Sequence, residues 1–463
     1  MSRRLVSFST LVLGAALAGC GAGDPPPGSA GQALEVDDWG GDEAHGEPPY
    51  EVWLVDQSDS PGHGYGGRIF IYDGNDLTGR SAPDAPAEVV DLAGQTNDLC
   101  WANTGANPRG AHMLLFNSTH SHAIVSFVFT GHVAIIEASS REAVACFRTE
   151  AGAGGARQAH AAFPTPDDQY IVVANQNGKK LERIRTDYAN GTFTQEPAAT
   201  INLATCTAPS GAPCETPTVS PRPDNAPICP VPLPNGQVAV TLRGGGLFIV
   251  ETSTTPMSIV AEYDRATIAP NGCGGTIVQD ALFITSGAGT IPANPWSWDI
   301  YALPTSFEPT TTPNDPPPVV VNSSNQERRD AHGVVPARVS RGAAEANYLW
   351  VADRGLGRIR IYDAVSFAEV SDFPMEEGQD DIVHLTPDLL DTSPMGNRIF
   401  ASLRGPAPLT GAHASFGTVP GVGVFKVSKN GARGELMSVV PISNIDAQGV
   451  ERADGHGIAV RRL

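Results

Sequence analysis

The sequence predicts an all-β chain closed into a ring of seven four-stranded units, a seven-bladed β-propeller. Three observations lead there. Short runs rich in Val, Ile, Phe and Tyr alternate with Gly/Asn/Asp turns from residue 50 onward, with no sustained helical period. Aligning the turns recovers a repeat: a small residue, a histidine, an apolar run, a turn, then two further strands. One copy is split between the ends of the chain. The run His456–Val460 has almost no chain after it, and its missing strands, Glu51–Val55 and Gly67–Asp73, stand at the N-terminal end. A unit divided in this way closes a ring and leaves no unpaired sheet edge.

The first 20 residues are a targeting segment. Arg3 and Arg4 supply the positive start and Leu11–Leu17 a short apolar core, too short to span a bilayer as a stable helix. Leu17-Ala18-Gly19-Cys20 resembles the bacterial lipobox, whose cysteine is lipidated and becomes the mature N-terminus. Gly21 follows Cys20; the resemblance implies anchoring in the cell envelope at the outer membrane, with lipid as the only membrane contact. Residues 21–48 are rich in Gly, Pro, Asp and Glu and read as a flexible tether. The propeller then occupies 49–463. The 50 glycines and 39 prolines suit many tight turns. A net charge of −20 without a basic cluster argues against nucleic acid as a partner, because phosphate backbones need a positive surface.

The repeat is clearest in three copies. His112–Phe116 leads to His122–Phe127 and Gly131–Ile136. His160–Asp167 leads to Tyr170–Asn175 and Gly178–Ile184. His332–Val335 leads to Tyr348–Asp353 and Gly357–Asp363. Degenerate copies begin at Ile228, at Asn271 and at Asp381, where Asp381–Asp388 leads to Arg398–Leu403. With the split unit they make seven. The run His456–Val460, the turn Pro166-Asp167 and the strand Tyr170–Asn175 resemble the YVTN-type propeller repeat of lactonase-like and related bacterial proteins. The resemblance covers roughly 50–463 and is closest at 158–187, 330–363 and 454–460. The copies at 228 and 271 depart from it, and Pro-rich insertions near 206–226 and 308–323 blur the spacing. It implies the fold and leaves function open, since propellers host many functions.

Innermost strands begin at one mouth of the central channel, so equivalent positions converge. Five neighbouring units place His332, Asp381, His456, His112 and His160 there. Convergent neutral imidazoles with a carboxylate suit a transition metal: copper, iron or zinc. Gln158, Asp330 and Asp454 each precede a histidine by two residues and are placed to accept the other ring N–H. Asp56, Asn175 and Asp353 end second strands and read as turn caps. His120 and His122 read as surface residues of the opposite face, and His63, His132 and His413 as loop or turn residues near the mouth. The loops 58–67 and 405–422 are long enough to cover part of it.

Of seven cysteines, six follow Cys20: Cys100, Cys146, Cys206, Cys214, Cys229 and Cys273. An even number in an oxidising compartment allows three disulfides. Cys206 and Cys214 flank a small loop and are the foremost pair; Cys229 and Cys273 suit either a disulfide across the mouth or a soft ligand pair. No nicotinamide, flavin or covalent haem signature is present, and no G-x-S-x-G, H-E-x-x-H or P-loop motif. Three functional classes remain: a metal-binding propeller with redox or hydrolytic chemistry, a metal-free binding scaffold, and a lactonase-like hydrolase in which Asp381 and one histidine supply acid/base groups.

Overall fold

Seven antiparallel sheets build the ring. The computed structural model describes residues 47–78, 82–216, 220–287, 297–324, 328–337, 347–375, 383–411 and 415–463. The targeting segment with Cys20 and nearly all of the tether therefore lie outside the described residues, as do Asp381 and His413. No described helix is long and apolar enough to cross a membrane.

Blade 1 is the split unit. Its innermost strand, Gly455–Arg462, pairs antiparallel with Tyr50–Asp56, which pairs with Arg68–Asp73 and then Glu88–Asp91. The innermost strands of blades 2 to 7 are Ala111–Phe116, Ala159–Pro164, Pro227–Pro232, Gly275–Val278, Ala331–Ala337 and Pro387–Thr392. Second strands such as His122–Phe127 and Tyr348–Asp353 are buried almost throughout, because blades stack on both of their faces. Outer strands such as Glu88–Asp91 and Glu369–Pro374 are largely exposed, and their charges discourage edge pairing. Aromatic side chains fill the wedges between blades: Trp53 meets Phe116 edge-on at 5.1 Å and Trp350 meets Phe425 at 6.2 Å.

In six blades the innermost strand bulges at one place. Ala111 pairs with Phe127 but Leu114 with Val125, so His112 and Met113 together oppose Ser126. The same extra residue falls at His160, at Ile228–Cys229, at His332–Gly333, at Asp388–Leu389 and at His456–Gly457. A bulge frees a backbone N–H and re-aims a side chain. Hydroxyls opposite the bulge accept the freed donors: Ser126 from Met113 N, Thr241 from Cys229 N and Ser402 from Leu389 N, at 3.3, 3.2 and 3.0 Å. The glycine after two of the histidines has a packing reason. A Cβ on Gly457 would stand 2.6 Å from the carbonyl oxygen of His112, and one on Gly333 would press on the backbone at Asp388. Only glycine lets adjacent innermost strands come this close.

Two expectations are corrected. Blade 7 does not begin its innermost strand near Asp381; the strand is Pro387–Thr392, and Asp388 takes the ring position. Pro387-Asp388 mimics the Pro-Asp turn of blade 3, but the chain here is extended and reverses after Ser393. A helix, Gln95–Thr104, lies between blades 1 and 2 where no helical period is visible. It has no apolar stripe and is held by the Cys100–Cys146 disulfide and by the Gln95 amide, which bonds both backbone groups of Ala143. The other disulfides are Cys206–Cys214 and Cys229–Cys273. The latter joins the inner edges of blades 4 and 5.

Candidate functional site

The bulges turn four imidazoles and one carboxylate toward the axis. His112 and His456 stack with ring centroids 3.7 Å apart; His160 stands edge-on to His112 at 4.6 Å, and His332 to His456 at 6.1 Å. Asp388 lies among them. Its Oδ1 is 3.3 Å from His332 Nε2 and its Oδ2 is 3.6 Å from His456 Nε2. Ligand atoms of His332, Asp388 and His456 lie within 4.8 Å of one another, a spread that one metal ion spans.

Backbone and amide groups fix the ring orientation. His456 Nδ1 faces the His112 carbonyl at 3.2 Å and His160 Nδ1 the Ile228 carbonyl at 3.1 Å, so each donates there and presents an unprotonated Nε2. His112 Nδ1 meets Gln57 Oε1 at 2.9 Å, which puts its lone pair on Nε2 as well. His112 Nε2 and His332 Nδ1 are buried without a hydrogen-bond partner among the described residues, and His332 Nε2 has only the poorly aligned Asp388 carboxylate at 3.3 Å. Burial holds all four imidazoles neutral at pH 7. It lowers His160 to about 4 and His456 to about 3, and takes His112 and His332 well below 6.5, with neighbouring histidines and arginines adding to the effect.

Two arginines organise the carboxylates. Arg404, fully buried, forks onto Asp454 with Nε and Nη2 both at 2.7 Å, and its Nη1 reaches Asp388 at 2.6 Å. Arg354 bridges Asp330, at 2.8 Å, and Asp388, at 3.2 Å. Burial alone would raise the Asp388 carboxyl; Arg354, the imidazoles and Arg404 together hold it well below the carboxylate range. Asp330 is pushed up to about 6 by burial, against the pull of Arg354. Two guanidiniums thus sit among the three carboxyl groups of Asp330, Asp388 and Asp454.

Asp330 and Asp454, expected to orient histidines, are therefore bound by arginines instead. Beside a buried guanidinium a carboxylate forms the stronger, charge-assisted bond. Gln158 lines the cavity, but the His160 ring bonds the Ile228 carbonyl. Asp56, Asn175 and Asp353 accept backbone N–H groups at strand ends, as turn caps do. His122 is buried against Tyr188 and Phe193 rather than lying on the surface. His132 opens a strand and is fully buried beside Thr104 and Thr130. Sequence reasoning missed Asp388, Arg354, Arg404 and Gln57. Three of them share a signal: Gln57, Arg354 and Arg404 each stand directly after a second strand, as do Gln176 and Arg243.

Above the histidines a cavity of ≈ 790 Å³ opens to solvent. His160, Cys273, Arg157, Arg243 and Arg354 line it, and Leu409–Gly411 of the 405–422 loop form part of its wall; loop 58–67 does not reach it. Further along the innermost strands, Met113, Phe163, Val231, Leu389 and Ile458 belong to one buried apolar cluster. The cavity is a cup large enough for a small organic molecule over the imidazoles.

Fold and site define the class: a seven-bladed propeller with a polar axial cup, similar in fold to lactonase-type propellers. The chain resembles a protein from Lactobacillus plantarum (10% identity, TM-score 0.55, 89% of this chain and 99% of that one). It also resembles the periplasmic gluconolactonase of Pseudomonas aeruginosa (11%, 0.52, 89% and 99%) and a putative 6-phosphogluconolactonase from Bacteroides uniformis (11%, 0.51, 89% and 100%). At these identities the likeness is one of fold. No protein-family model matches the sequence and no curated protein matches it.

Proposed function

We propose that the axial cup binds one divalent transition metal through His332, His456 and Asp388, with His112 beside them. The observation that carries this reading is the set of buried, poorly satisfied imidazole nitrogens gathered around the Asp388 carboxylate. Leaving such atoms unmet costs about 1–3 kcal/mol each, and a metal ion satisfies several at once. Two or three nitrogens and one oxygen suit zinc, iron or copper, with the open side of the cup left for water or substrate.

Protein purified without a histidine tag and reconstituted with zinc is expected to hold about one equivalent by elemental analysis. The His332→Ala/His456→Ala variant should hold none. Zinc-free wild-type protein, or equal loading of the variant, would count against the centre. The same samples separate a second reading, favoured by the sugar-sized cup and by the named activities of similar folds. If the cup hydrolyses a sugar lactone through the metal, turnover of gluconolactone by the loaded protein is abolished by chelation; turnover that survives chelation assigns the reaction to the side chains alone.

We also propose that the body is tethered to the envelope through lipid on Cys20, as the lipobox motif implies. Cys20→Ser is expected to prevent incorporation of a radiolabelled fatty acid and to move the protein from the membrane to the soluble fraction. Unchanged labelling would sink this assignment.

A further inference from the structure

We propose that the Cys229–Cys273 disulfide is a redox gate over a second, softer metal site in the wall of the cup, made by Cys229 Sγ, Cys273 Sγ and His160. Ligand atoms of the three residues lie within 4.8 Å of one another. They arrive on the inner edges of three consecutive blades: His160 on blade 3, Cys229 on blade 4, and Cys273 just before the innermost strand of blade 5. Because His160 Nδ1 donates to the Ile228 carbonyl, its Nε2 is the ligand atom, and the ring is held in place before any metal arrives.

The position of this disulfide sets it apart. Among the described residues, neither Cys100–Cys146 nor Cys206–Cys214 forms such a group with a histidine. Cys273 and His160 both line the open cup, which gives a small dithiol a way in.

The chemistry balances with a dithiol as reductant. One dithiol gives two electrons and two protons to the Cys229–Cys273 bond, becomes a disulfide, and leaves two thiols. A divalent ion then displaces both thiol protons and binds two thiolates and one imidazole, with a fourth position facing the cup. Two sulfurs and one nitrogen select a softer ion than the N/O set around Asp388. The two sites share no ligand, so each stands or falls alone.

Cobalt(II) reports thiolate ligation through a near-ultraviolet charge-transfer band. Full-length protein is treated with dithiothreitol, desalted without air and titrated with cobalt(II). Reduction is expected to add one equivalent and the band; oxidised protein should show no band. The gain should persist in His332→Ala/His456→Ala, which isolates it from the site at Asp388. It should vanish in Cys229→Ser/Cys273→Ser, which keeps the other two disulfides. Should that variant fail to fold, reduced His160→Ala must bind the added cobalt more than about 100-fold more weakly, exceeding the roughly 10–100-fold loss typical of a supporting contact. Three results overturn the proposal: a pair that resists dithiol in the folded protein, no band although alkylation and mass spectrometry find both thiols free, or a band that survives in the serine variant.

Discussion

Arg404→Ala is expected to lower the stability of the protein by about 3–5 kcal/mol, the cost of breaking a buried ion pair from one side. Arg404 is fully buried, and three of its donors end on the carboxylates of Asp388 and Asp454. Its Nη2 also reaches the Thr410 carbonyl at 3.0 Å, which ties the loop over the cup to blade 7. Without the guanidinium two carboxylates stay in the interior with reduced compensation. Arg404→Met keeps most of the volume and should be nearly as damaging, because charge rather than packing is lost. Adding Asp454→Asn to Arg404→Met should recover part of the loss. Urea unfolding followed by tryptophan fluorescence measures all three. A change below 1 kcal/mol in Arg404→Met would show that the network does not hold the blades together.

Acid should destabilise the protein from about pH 6.5 downward, before an ordinary exposed carboxylate titrates. In the unfolded chain each axial imidazole takes up a proton near pH 6.5. In the folded chain burial delays this to about 4 for His160 and about 3 for His456, and to lower pH than normal for His112 and His332. Below pH 6.5 the unfolded state therefore binds more protons, and stability falls as pH falls toward those folded values. At pH 5 His160 and His456 each cost about 2 kcal/mol relative to pH 7.5, and His112 and His332 act in the same direction. Asp330 and Asp391, raised to about 6, and Glu182, raised to about 7, work the other way, because their folded forms take up a proton first and offset part of the loss. Asp388 adds its own loss only at lower pH. Urea unfolding at pH 7.5 and pH 5 is expected to differ by several kcal/mol, and His456→Asn should flatten the profile by about one imidazole's share. A His456→Asn profile identical in slope to the wild type would mean that this imidazole is not buried and neutral.

Much of the site was legible because the chain repeats. One residue position, the histidine after a small residue, recurs at 112, 160, 332 and 456, and a ring brings equal positions together. The split unit revealed the ring, since Gly455–Arg462 needed the strands that begin at Tyr50. Cys206–Cys214 was legible from its short loop, and the likeness to the YVTN-type repeat agrees in fold with the solved propellers. Blade 7 was misread for a local reason. Pro387-Asp388 has the composition of a turn, and only pairing with Leu403 and its neighbours shows it extended. The arginines were missed for a different reason. Arg354 and Arg404 follow second strands, where a charged residue reads as a solvated turn. Their burial depends on which loops and blades close over them.

The sequence by itself determined the periodic parts of this protein: strand runs, turn positions, the number of blades and the recurrence of histidine, all set by short-range pattern. The tertiary structure alone decided the charge pairing. Which carboxylate each arginine meets, which ring nitrogen is left bare, and which cysteines face a histidine depend on distances between blades far apart in the chain. An ionisable group becomes costly or useful only once the low-dielectric interior has formed around it, and that interior is a property of the closed ring.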